Sequence, residues 1–312
     1  MRSAIHGIGA ALPDRVVANT EVAQRAGVTE EWIVARTGVR ERRHVEEGQR
    51  LDELAADAGR RALEDAGLEA DQIDLVLVAT MAADELSPNA APLVAHRLGA
   101  EQAGALDVGA ACTGFLGALG LAAAQIESGR AERTLVIGAD VLSRITDPTD
   151  RGTAALFADG AGAAVVAASS NGASVGPVLL RADGGGAPAI RATHEERLIH
   201  MQGHDTFREA VRRLSESTLQ AIERAGVSLD EIDLFVYHQA NARILAAVAE
   251  KLGLDRARVI DCIDRYGNTS SATIPLALAE ARERGLLSPG ATVLLAAFGA
   301  GFTWGAGVIE WA

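Results

Sequence analysis

One of the two cysteines, Cys112, stands where a nucleophile could act. Ala105 to Gly109 is typical of a short buried strand, and Cys112 to about Glu127 of a small-residue helix, so the sulfur is predicted at the helix N-terminus. There, unpaired backbone N–H groups and the helix dipole favour the thiolate, a better nucleophile than the thiol. The competing interpretation is a buried cysteine that serves as a small hydrophobic residue. Partner residues elsewhere must decide between the two.

Two polar residues that follow predicted elements could be those partners. His238 comes directly after a predicted strand, Asp233 to Tyr237, and Asn268 lies in a turn that leads into a helix. Histidine titrates closest to neutral pH and asparagine supplies an amide donor, so both suit a site built around a cysteine. A structural histidine and a helix cap worth about 1 kcal/mol are the simpler interpretations of the same residues.

A glycine-rich segment near the end of the chain could stabilise a developing negative charge. Residues 298–305, Phe-Gly-Ala-Gly-Phe-Thr-Trp-Gly, follow a predicted buried strand. The glycines suit a tight turn that presents backbone N–H groups, as an oxyanion hole requires. A plain turn between two strands has the same composition, so both interpretations stay open.

The elements that must position these residues occur twice along the chain. Residues 66–79 align with residues 225–238 at an offset of 159, with six of fourteen positions identical. The same offset brings the predicted strand 134–137 onto residues 293–296. A repeat of this length indicates a duplicated domain and not a solenoid.

Strands alternate with helices in both copies. In the first copy we predict helices from Thr20 to Arg36 and from Leu51 to Ala66, and a strand from Ile73 to Ala79. Such alternation gives parallel sheets covered by helices, and two copies pack into one α/β body. Ligands of such folds bind at the carboxyl ends of the strands, where Cys112 and His238 are both predicted.

The composition excludes several classes of protein. The 312 residues are 48% hydrophobic, which is enough for a large core. A net charge of -13 argues against general nucleic-acid binding and against an anionic membrane surface. Two distant cysteines give neither a disulfide framework nor a metal-ligand spacing, which suits a reducing cytosol, and the first residues lack the apolar core of a signal peptide. We therefore expect a cytoplasmic protein without a metal site and without nucleic-acid or membrane partners.

Six short motifs follow one another in order across essentially the whole chain. They are Glu31-Trp32-Ile33 with Arg36-Thr37-Gly38, Gly-Ala-Ala-Cys112-Thr-Gly-Phe, Asp147 to Thr153, His238-Gln-Ala-Asn241, Gly267-Asn268-Thr-Ser, and the segment 298–305. Their joint occurrence resembles the β-ketoacyl-acyl-carrier-protein synthase III family.

The resemblance implies an α/β thiolase fold, in which duplicated βαβαβαββ halves form a five-layered αβαβα body. Residues 1–168 would form the half that carries the nucleophilic cysteine, and residues 169–312 the half that carries the histidine and the asparagine. It also implies a homodimer and a reaction that needs no metal or redox cofactor.

The same resemblance implies catalytic roles. Cys112 would take an acyl group from acyl-CoA, while the backbone N–H groups of Cys112 and Ala300 hold the oxyanion. His238 and Asn268 would hydrogen-bond the carbonyl of a malonyl carrier protein as it loses CO2 and enolate charge develops. The resulting carbanion would attack the acyl-cysteine to give a β-ketoacyl carrier protein, the first step of fatty-acid or polyketide synthesis.

Five residues are implied to bind CoA. Trp32 and Arg151 would sandwich the adenine, since a flat ring suits an indole on one side and a guanidinium plane on the other. Arg36, Phe207 and Asn241 would line the entrance of the pantetheine tunnel. Without the resemblance, Trp32 is a partly buried helix residue and Arg36 a solvated charge.

Two further sets of residues complete the implied site. Arg208, Arg243 and Lys251 would form a basic rim for an acidic acyl carrier protein, although Glu250 stands where relatives often have a lysine. The acyl pocket would be lined by Ser87, Leu142, Phe157 and Ile199. Ser87 stands where relatives often place a phenylalanine that closes the pocket across the dimer, so the smaller side chain favours a longer or branched primer.

Two other functions remain open at this point. A relative in secondary metabolism would use the same acyl-cysteine to acylate a hydroxyl or an amine, and a non-catalytic subunit would bind CoA or carrier protein without turnover. An intact Cys112, His238 and Asn268 set argues against the second of these. The sequence leaves the primer, the final acceptor and the pathway undecided.

Overall fold

The computed structural model describes residues 2–170 and 172–312. Its strands are β1 (Arg2–Ala11), β2 (Val16–Ala18), β3 (Glu41–Arg43), β4 (Leu75–Ala79), β5 (Gly104–Val108), β6 (Arg133–Val141), β7 (Asp159–Ser169), β8 (Ser174–Val175), β9 (Leu179–Ala182), β10 (Ile190–Ala192), β11 (Ile199–Met201), β12 (Leu234–Tyr237), β13 (Thr292–Gly299) and β14 (Thr303–Glu310). Its helices are α1 (Asn19–Ala26), α2 (Glu30–Thr37), α3 (Leu51–Ala66), α4 (Ala90–Leu98), α5 (Gly114–Glu127), α6 (Gly203–Ala225), α7 (Ala242–Leu252), α8 (Ile263–Tyr266) and α9 (Thr273–Glu283).

Two mixed sheets carry the architecture. The first has the order β1-β7-β6-β4-β5, with β4 parallel to both β5 and β6. The second has the order β12-β13-β14, and both β8 and β9 pair with the outer edge of β14. Strands such as β6 are buried along almost their whole length, which is typical of sheets covered on both faces.

Helices cover both sheets and fill the space between them. α3 and α4 pack on the outer face of the first sheet, α6 with α7 on the outer face of the second, and α5 and α9 lie between the two sheets. The α5 and α9 helices can occupy this central layer because their side chains are small and apolar along most of their length. The five-layered αβαβα body expected from the sequence is thereby confirmed.

The sequence repeat reappears as a structural repeat with the same offset. The ends of α3 and α6, the strands β4 and β12, the strands β6 and β13, and the starts of α5 and α9 are all 159 residues apart. The pairing register agrees as well, since Leu75 faces Thr134 in the first half and Leu234 faces Val293 in the second. Equivalent residues of the two halves therefore emerge at equivalent places.

One strand of the first half is almost lost in the second. The counterpart of β5 is reduced to a single bridge between Phe235 and Val259. The first sheet ends at Ser169 and the second begins at Ser174, while the division of the chain between residues 168 and 169 stays a prediction.

The helix predicted from Thr20 to Arg36 is wrong as a single element. Gly27 adopts a left-handed φ of 65° and closes α1, and Thr29 then starts α2 by accepting a hydrogen bond from the Trp32 N–H at 3.1 Å. The helix from Leu51 to Ala66 is confirmed. Among the described residues, no helix has both the length and the apolar character that crossing a bilayer requires.

Candidate active site

A cavity of about 450 Å³ opens between the two halves of the chain. The first half contributes Cys112 to its wall, and the second contributes His238, Asn268 and Ala300. All the residues predicted to act on the substrate thioesters therefore meet in one cavity, although some of them are more than 150 residues apart in the sequence.

Cys112 lies in a 3₁₀ turn, residues 111–113, that connects β5 to α5. The turn is tight because Ala111 adopts a left-handed φ of 46°. The Thr113 hydroxyl bonds the Ala110 carbonyl at 2.7 Å and meets the Thr303 hydroxyl at 2.9 Å, which ties the turn to the start of β14. The predicted nucleophile thus lies on a turn that both halves hold in place.

Two backbone N–H groups, those of Cys112 and Ala300, interact with the Cys112 sulfur. Ala300 can come this close because the residue before it is Gly299, where an added Cβ would lie 2.9 Å from the Cys112 nitrogen. Real Cβ atoms essentially never approach so closely. Two donors beside the sulfur match the arrangement that holds the oxyanion of a thioester under attack.

The Cys112 thiol is harder to ionise than its position suggested. The residue is partly exposed to the cavity, but its sulfur has the surroundings of the protein interior, and this burial raises the pKa of the thiol to about 11. The Ser270 hydroxyl and the two N–H groups lower the same pKa by less. Burial thus opposes the thiolate that the sequence analysis expected, and α5 begins only at Gly114, two residues after the cysteine.

His238 follows β12 and is 1% exposed. Burial lowers the pKa of its imidazole to about 3, so the ring is neutral at physiological pH. Its Nδ1 lies 2.6 Å from the Thr273 hydroxyl, which in turn lies 3.0 Å from the Ser270 carbonyl. One ring nitrogen is thus held by the protein, and Nε2 is left for a ligand.

Asn268 lies between α8 and the 3₁₀ turn 270–272, and its backbone runs beside the segment that holds Phe157. Its N–H donates to the Leu156 carbonyl and its carbonyl accepts from the Ala158 N–H, both at 2.9 Å. Its side-chain Oδ1 accepts from the Ser270 N–H at 2.9 Å. With Oδ1 occupied, the amide nitrogen is the donor that remains for a ligand.

Asp140, which the sequence analysis did not single out, lies beneath the site. Its buried carboxylate accepts from the N–H and the hydroxyl of Ser271, at 3.0 and 2.7 Å, and from the Met81 N–H at 2.8 Å. Burial raises the pKa of this carboxyl. Its one sequence signal is a charge inside the otherwise apolar run 135–142.

Thr273 and Ser270 were also missed. A hydroxyl in a predicted helix start is usually a cap, so neither residue stands out. Their contacts with His238 and Asn268 become visible only in three dimensions.

The two residues predicted to hold an adenine lie close together. Trp32 and Arg151 both line the cavity, and the Arg151 guanidinium carbon lies 5.8 Å from the centre of the Trp32 ring. A ring between them needs about 7 Å, twice an ordinary carbon contact distance. Arg151 is exposed, so it can withdraw by the remaining distance of about 1 Å.

The residues predicted at the tunnel entrance also line the cavity. The Asn241 amide is partly engaged already, because its Oδ1 accepts from the Arg243 N–H at 2.9 Å and its Nδ2 donates to the Arg36 carbonyl at 3.0 Å. The Phe207 ring lies on α6, with the Arg243 guanidinium carbon 5.4 Å from its centre. Asn241 thereby fixes α7 against α2, one helix from each half.

The predicted basic rim is exposed, but its members differ. Arg243 lines the mouth of the cavity. Arg208 and Lys251 lie outside the cavity wall, and Arg208 approaches the Asp205 carboxylate at 3.4 Å.

Three of the four residues predicted for the acyl pocket meet in the structure. Leu142, Phe157 and Ile199 pack together and line the cavity. Ser87 is exposed and does not line the cavity of its own chain. Phe157 also borders a second cavity of about 250 Å³, so it separates two spaces.

Among residues 2–170 and 172–312, no three or more His, Cys, Asp or Glu side chains are grouped as a metal ion would require.

Comparison with known proteins gives concordant matches along the chain. The family model described as 3-oxoacyl-[acyl-carrier-protein] synthase III matches residues 106–184, and the model of its C-terminal part matches residues 222–311. The β-ketoacyl-[acyl-carrier-protein] synthase III 3 of Streptomyces coelicolor is 43% identical over 99% of this chain and 97% of its own length.

Solved structures agree with these sequence matches. The crystal structure of 3-oxoacyl-[acyl-carrier-protein] synthase III from Aquifex aeolicus superposes with a TM-score of 0.97 at 39% identity, over 99% of this chain and 100% of that one. A priming β-ketosynthase from a polyketide biosynthetic pathway superposes with a TM-score of 0.96 at 36% identity, over 99% and 96% of the two chains.

Proposed function

The chain belongs to the 3-oxoacyl-[acyl-carrier-protein] synthase III family of condensing enzymes with the thiolase fold, and we propose that it condenses the acyl group of an acyl-CoA with malonyl carrier protein. One observation carries the proposal. A single cavity holds a thiol with two N–H donors beside it, a neutral imidazole and a side-chain amide donor. The thiol and its two N–H donors suit acyl transfer to sulfur, and the imidazole with the amide donor suits stabilisation of an enolate.

In the first half-reaction, Cys112 attacks the thioester carbonyl of the acyl-CoA. The carbonyl oxygen becomes an oxyanion between the N–H groups of Cys112 and Ala300, and the collapse of this intermediate expels the CoA sulfur. Because the resting nucleophile is a thiol, its proton leaves with CoA. The products are an acyl-cysteine and a CoA thiol, so the step is balanced.

In the second half-reaction, His238 and Asn268 hold the carbonyl oxygen of the malonyl thioester. Loss of CO2 places negative charge on that oxygen, and two neutral donors stabilise it without protonating it. For Nε2 of His238 to donate, Nδ1 must accept, so the Thr273 hydroxyl must then point at the imidazole and away from the Ser270 carbonyl. The carbanion attacks the carbonyl of the acyl-cysteine, the carbon–sulfur bond breaks to release the β-ketoacyl carrier protein, and the Cys112 thiolate takes up a proton from solvent to regenerate the thiol.

The substrates follow from the walls of the cavity. Trp32 and Arg151 suit an adenine, and Arg243 with the other rim cations Arg208 and Lys251 suits an acidic carrier protein. Leu142, Phe157 and Ile199 suit an apolar primer. Enzymes of this family need no cofactor.

Acyl transfer to a hydroxyl or an amine is the alternative. It would use the same acyl-cysteine but would not need a neutral imidazole and an amide aimed at a second carbonyl. The His238 and Asn268 pair therefore favours decarboxylative condensation.

The test is a product assay with purified enzyme. An acyl-CoA panel and malonyl carrier protein are supplied together, and the mass of the carrier protein is followed. The proposal predicts a β-ketoacyl carrier protein with release of one CoA and one CO2. A carrier protein that stays malonylated, while a hydroxyl or amine acceptor becomes acylated, would establish the alternative.

We also propose that two copies of the chain form a homodimer through the β5 edge of the first sheet. Leu106 on β5 is 59% exposed, Leu121 on the neighbouring α5 is 49% exposed and Leu180 on β9 is 43% exposed. An edge strand with unpaired backbone groups beside exposed leucines suits a self-complementary interface. Leu106→Asp should convert the dimer to a monomer in analytical ultracentrifugation, and a wild-type monomer would refute the interface.

A further inference from the structure

A buried hydroxyl in the active site has no part in the two half-reactions described above. Ser270 is fully buried and lines the same cavity as Cys112. Within the part of the chain that the structure describes, its Oγ has no hydrogen-bond partner. Burying a hydroxyl without a hydrogen-bond partner is unfavourable, so this hydroxyl is kept at a cost in stability. A group of this kind in a catalytic cavity indicates a partner that arises during the reaction.

Ser270 lines the cavity beside the nucleophile, on a turn that packs directly against the turn 111–113. It stands close enough to Cys112 to lower the pKa of the thiol, and it has the same effect on the carboxyl of Asp140. No hydrogen bond of normal geometry joins the hydroxyl to either group in the resting enzyme. The hydroxyl therefore lies near the sulfur and has no hydrogen bond to another acceptor among the described residues.

The backbone of Ser270 holds the other catalytic side chains. Its N–H donates to Oδ1 of Asn268 at 2.9 Å. Its carbonyl lies 3.0 Å from the Thr273 hydroxyl, which contacts Nδ1 of His238 at 2.6 Å. Ser270 is thus linked to all three catalytic residues. Its backbone contacts Asn268 directly and His238 through Thr273, and its side chain lies in the cavity with Cys112.

Few titratable groups compete for the sulfur. The Asp140 carboxylate on β6 opposes ionisation of the thiol, and His238 is neutral. Among the elements that pack against the turn 111–113, β13 carries no titratable side chain. The helix α5 and the strand β14 carry Glu127 and Glu310, each at the end of the element that lies away from the turn. The Ser270 hydroxyl is consequently placed to offset the field of Asp140.

We propose that the Ser270 hydroxyl donates a hydrogen bond to the Cys112 sulfur as the thiol loses its proton, which makes Ser270 a further catalytic residue of the acylation step. This proposal rests on the proposed function, because acylation is the step in which the sulfur carries charge. The proton lost by the thiol leaves on CoA, and Ser270 keeps its own. A hydrogen bond to an ionised sulfur is stronger than one to a neutral group, so it stabilises the charged state selectively.

The test is the alkylation rate of Cys112 by iodoacetamide between pH 7 and 9, followed by intact mass. Ser270→Ala removes the hydroxyl and keeps the backbone contacts, and Ser270→Gly removes it while tolerating the left-handed φ of 52°. Ser217→Ala is the matched control, since Ser217 is a buried serine on α6 that does not line the cavity. Cys112→Ala gives the background from Cys262.

We expect both Ser270 variants to alkylate about three- to tenfold more slowly than wild type at each pH, because a higher thiol pKa lowers the thiolate fraction while raising its intrinsic reactivity in part. Ser217→Ala should match wild type. If Ser270→Ala does not fold, as judged by thermal unfolding, Ser270→Gly decides the question. Wild-type alkylation rates in a folded Ser270 variant would overturn the proposal. The assay contains no acyl-CoA or carrier protein, so failure of the proposed function would appear separately, as wild-type enzyme that acyl-CoAs do not load.

Discussion

The turn at residues 111–113 and the turn at residues 270–272 are copies of each other that perform different tasks. Both are 3₁₀ turns, both begin with a left-handed residue other than glycine, at φ 46° for Ala111 and 52° for Ser270, and both lead into a central helix, α5 or α9. The offset between them is the 159 residues of the repeat. The first turn presents a thiol to the cavity, and the second organises the groups around it.

The difference lies in one equivalent pair of residues. Cys112 in the first turn corresponds to Ser271 in the second, whose hydroxyl bonds the Asp140 carboxylate and the Ala79 carbonyl instead of facing a substrate. The two halves therefore contain turns of the same backbone geometry, and the different side chains on these turns give them different roles. We propose that acylation depends on the first turn and decarboxylation on the second, and this separation can be tested.

The largest expected effect comes from removing the nucleophile. Cys112→Ala should abolish acyl-enzyme formation altogether, because no other thiol reaches the cavity from the described residues; Cys262 is 1% exposed and outside it. Intact mass after incubation with acyl-CoA measures this. Cys262→Ala is the matched control and should load normally, whereas a loaded Cys112 variant would place the nucleophile elsewhere.

Asn268→Ala should separate the two turns most clearly. The variant keeps the cysteine and its two N–H donors, so it should still become acylated, but decarboxylation of malonyl carrier protein should fall about 10²- to 10³-fold with the loss of one donor to the enolate. Loading by intact mass and CO2 release are measured on the same preparation. Equal losses in both steps would contradict the division of labour.

A pair of glycine substitutions would disturb one turn at a time. In Gly299→Ala the new Cβ would lie 2.9 Å from the Cys112 nitrogen, and in Gly138→Ala it would lie 2.4 Å from the Ser271 carbonyl oxygen. Gly299→Ala should slow acylation about 10- to 100-fold by displacing the sulfur. Gly138→Ala should lower the free energy of unfolding by about 1–3 kcal/mol and impair decarboxylation more than loading. The opposite pattern of rates would mean that the turns are coupled.

The buried histidine of the second half should make stability depend on pH. The folded pKa of about 3 lies below the ordinary value of 6.5, so below pH 6.5 the unfolded chain takes up a proton that the folded protein refuses, and stability is lost as pH falls from 6.5 toward 3. Between pH 7 and 4.5 this amounts to about 2–3 kcal/mol. Urea unfolding of wild type and His238→Asn at both pH values measures it, and equal losses in the two proteins would show that His238 titrates normally.

The smallest effect is expected at the rim. Arg243→Glu should raise the KM for malonyl carrier protein about three- to tenfold at low salt and less at high salt, with loading from acyl-CoA affected less. Arg256→Glu is a suitable control, because Arg256 is an exposed arginine that does not line the cavity. A change independent of salt would argue against an electrostatic contact.

The sequence was informative where local patterns decide the structure. The end of α3 before Gly67, the strand ends that carry Cys112 and His238, and the 159-residue repeat all follow from periodicity and glycine placement. The break between α1 and α2 was missed, although Gly27 and the Thr29 cap were its signals.

The sequence could not predict which side chains are buried by segments that are distant along the chain. The high pKa of the Cys112 thiol depends on how deeply the halves enclose the sulfur, and Asp140 becomes part of the site only through Ser271, 131 residues away. Ser87 was predicted to line the acyl pocket because relatives often have a phenylalanine at that position. The cavity of a single chain does not reach Ser87. Such features depend on tertiary packing, which no local pattern encodes.

The central claim is that one chain loads an acyl group on the first turn and discharges it onto a carbanion formed at the second. The direct measurement is intact-protein mass through one turnover, first with acyl-CoA and then with malonyl carrier protein. The acyl mass is expected to appear on Cys112 and to disappear as malonyl carrier protein becomes β-ketoacyl carrier protein with release of CO2. An acyl-enzyme that malonyl carrier protein leaves unchanged, in protein that remains folded, would contradict it.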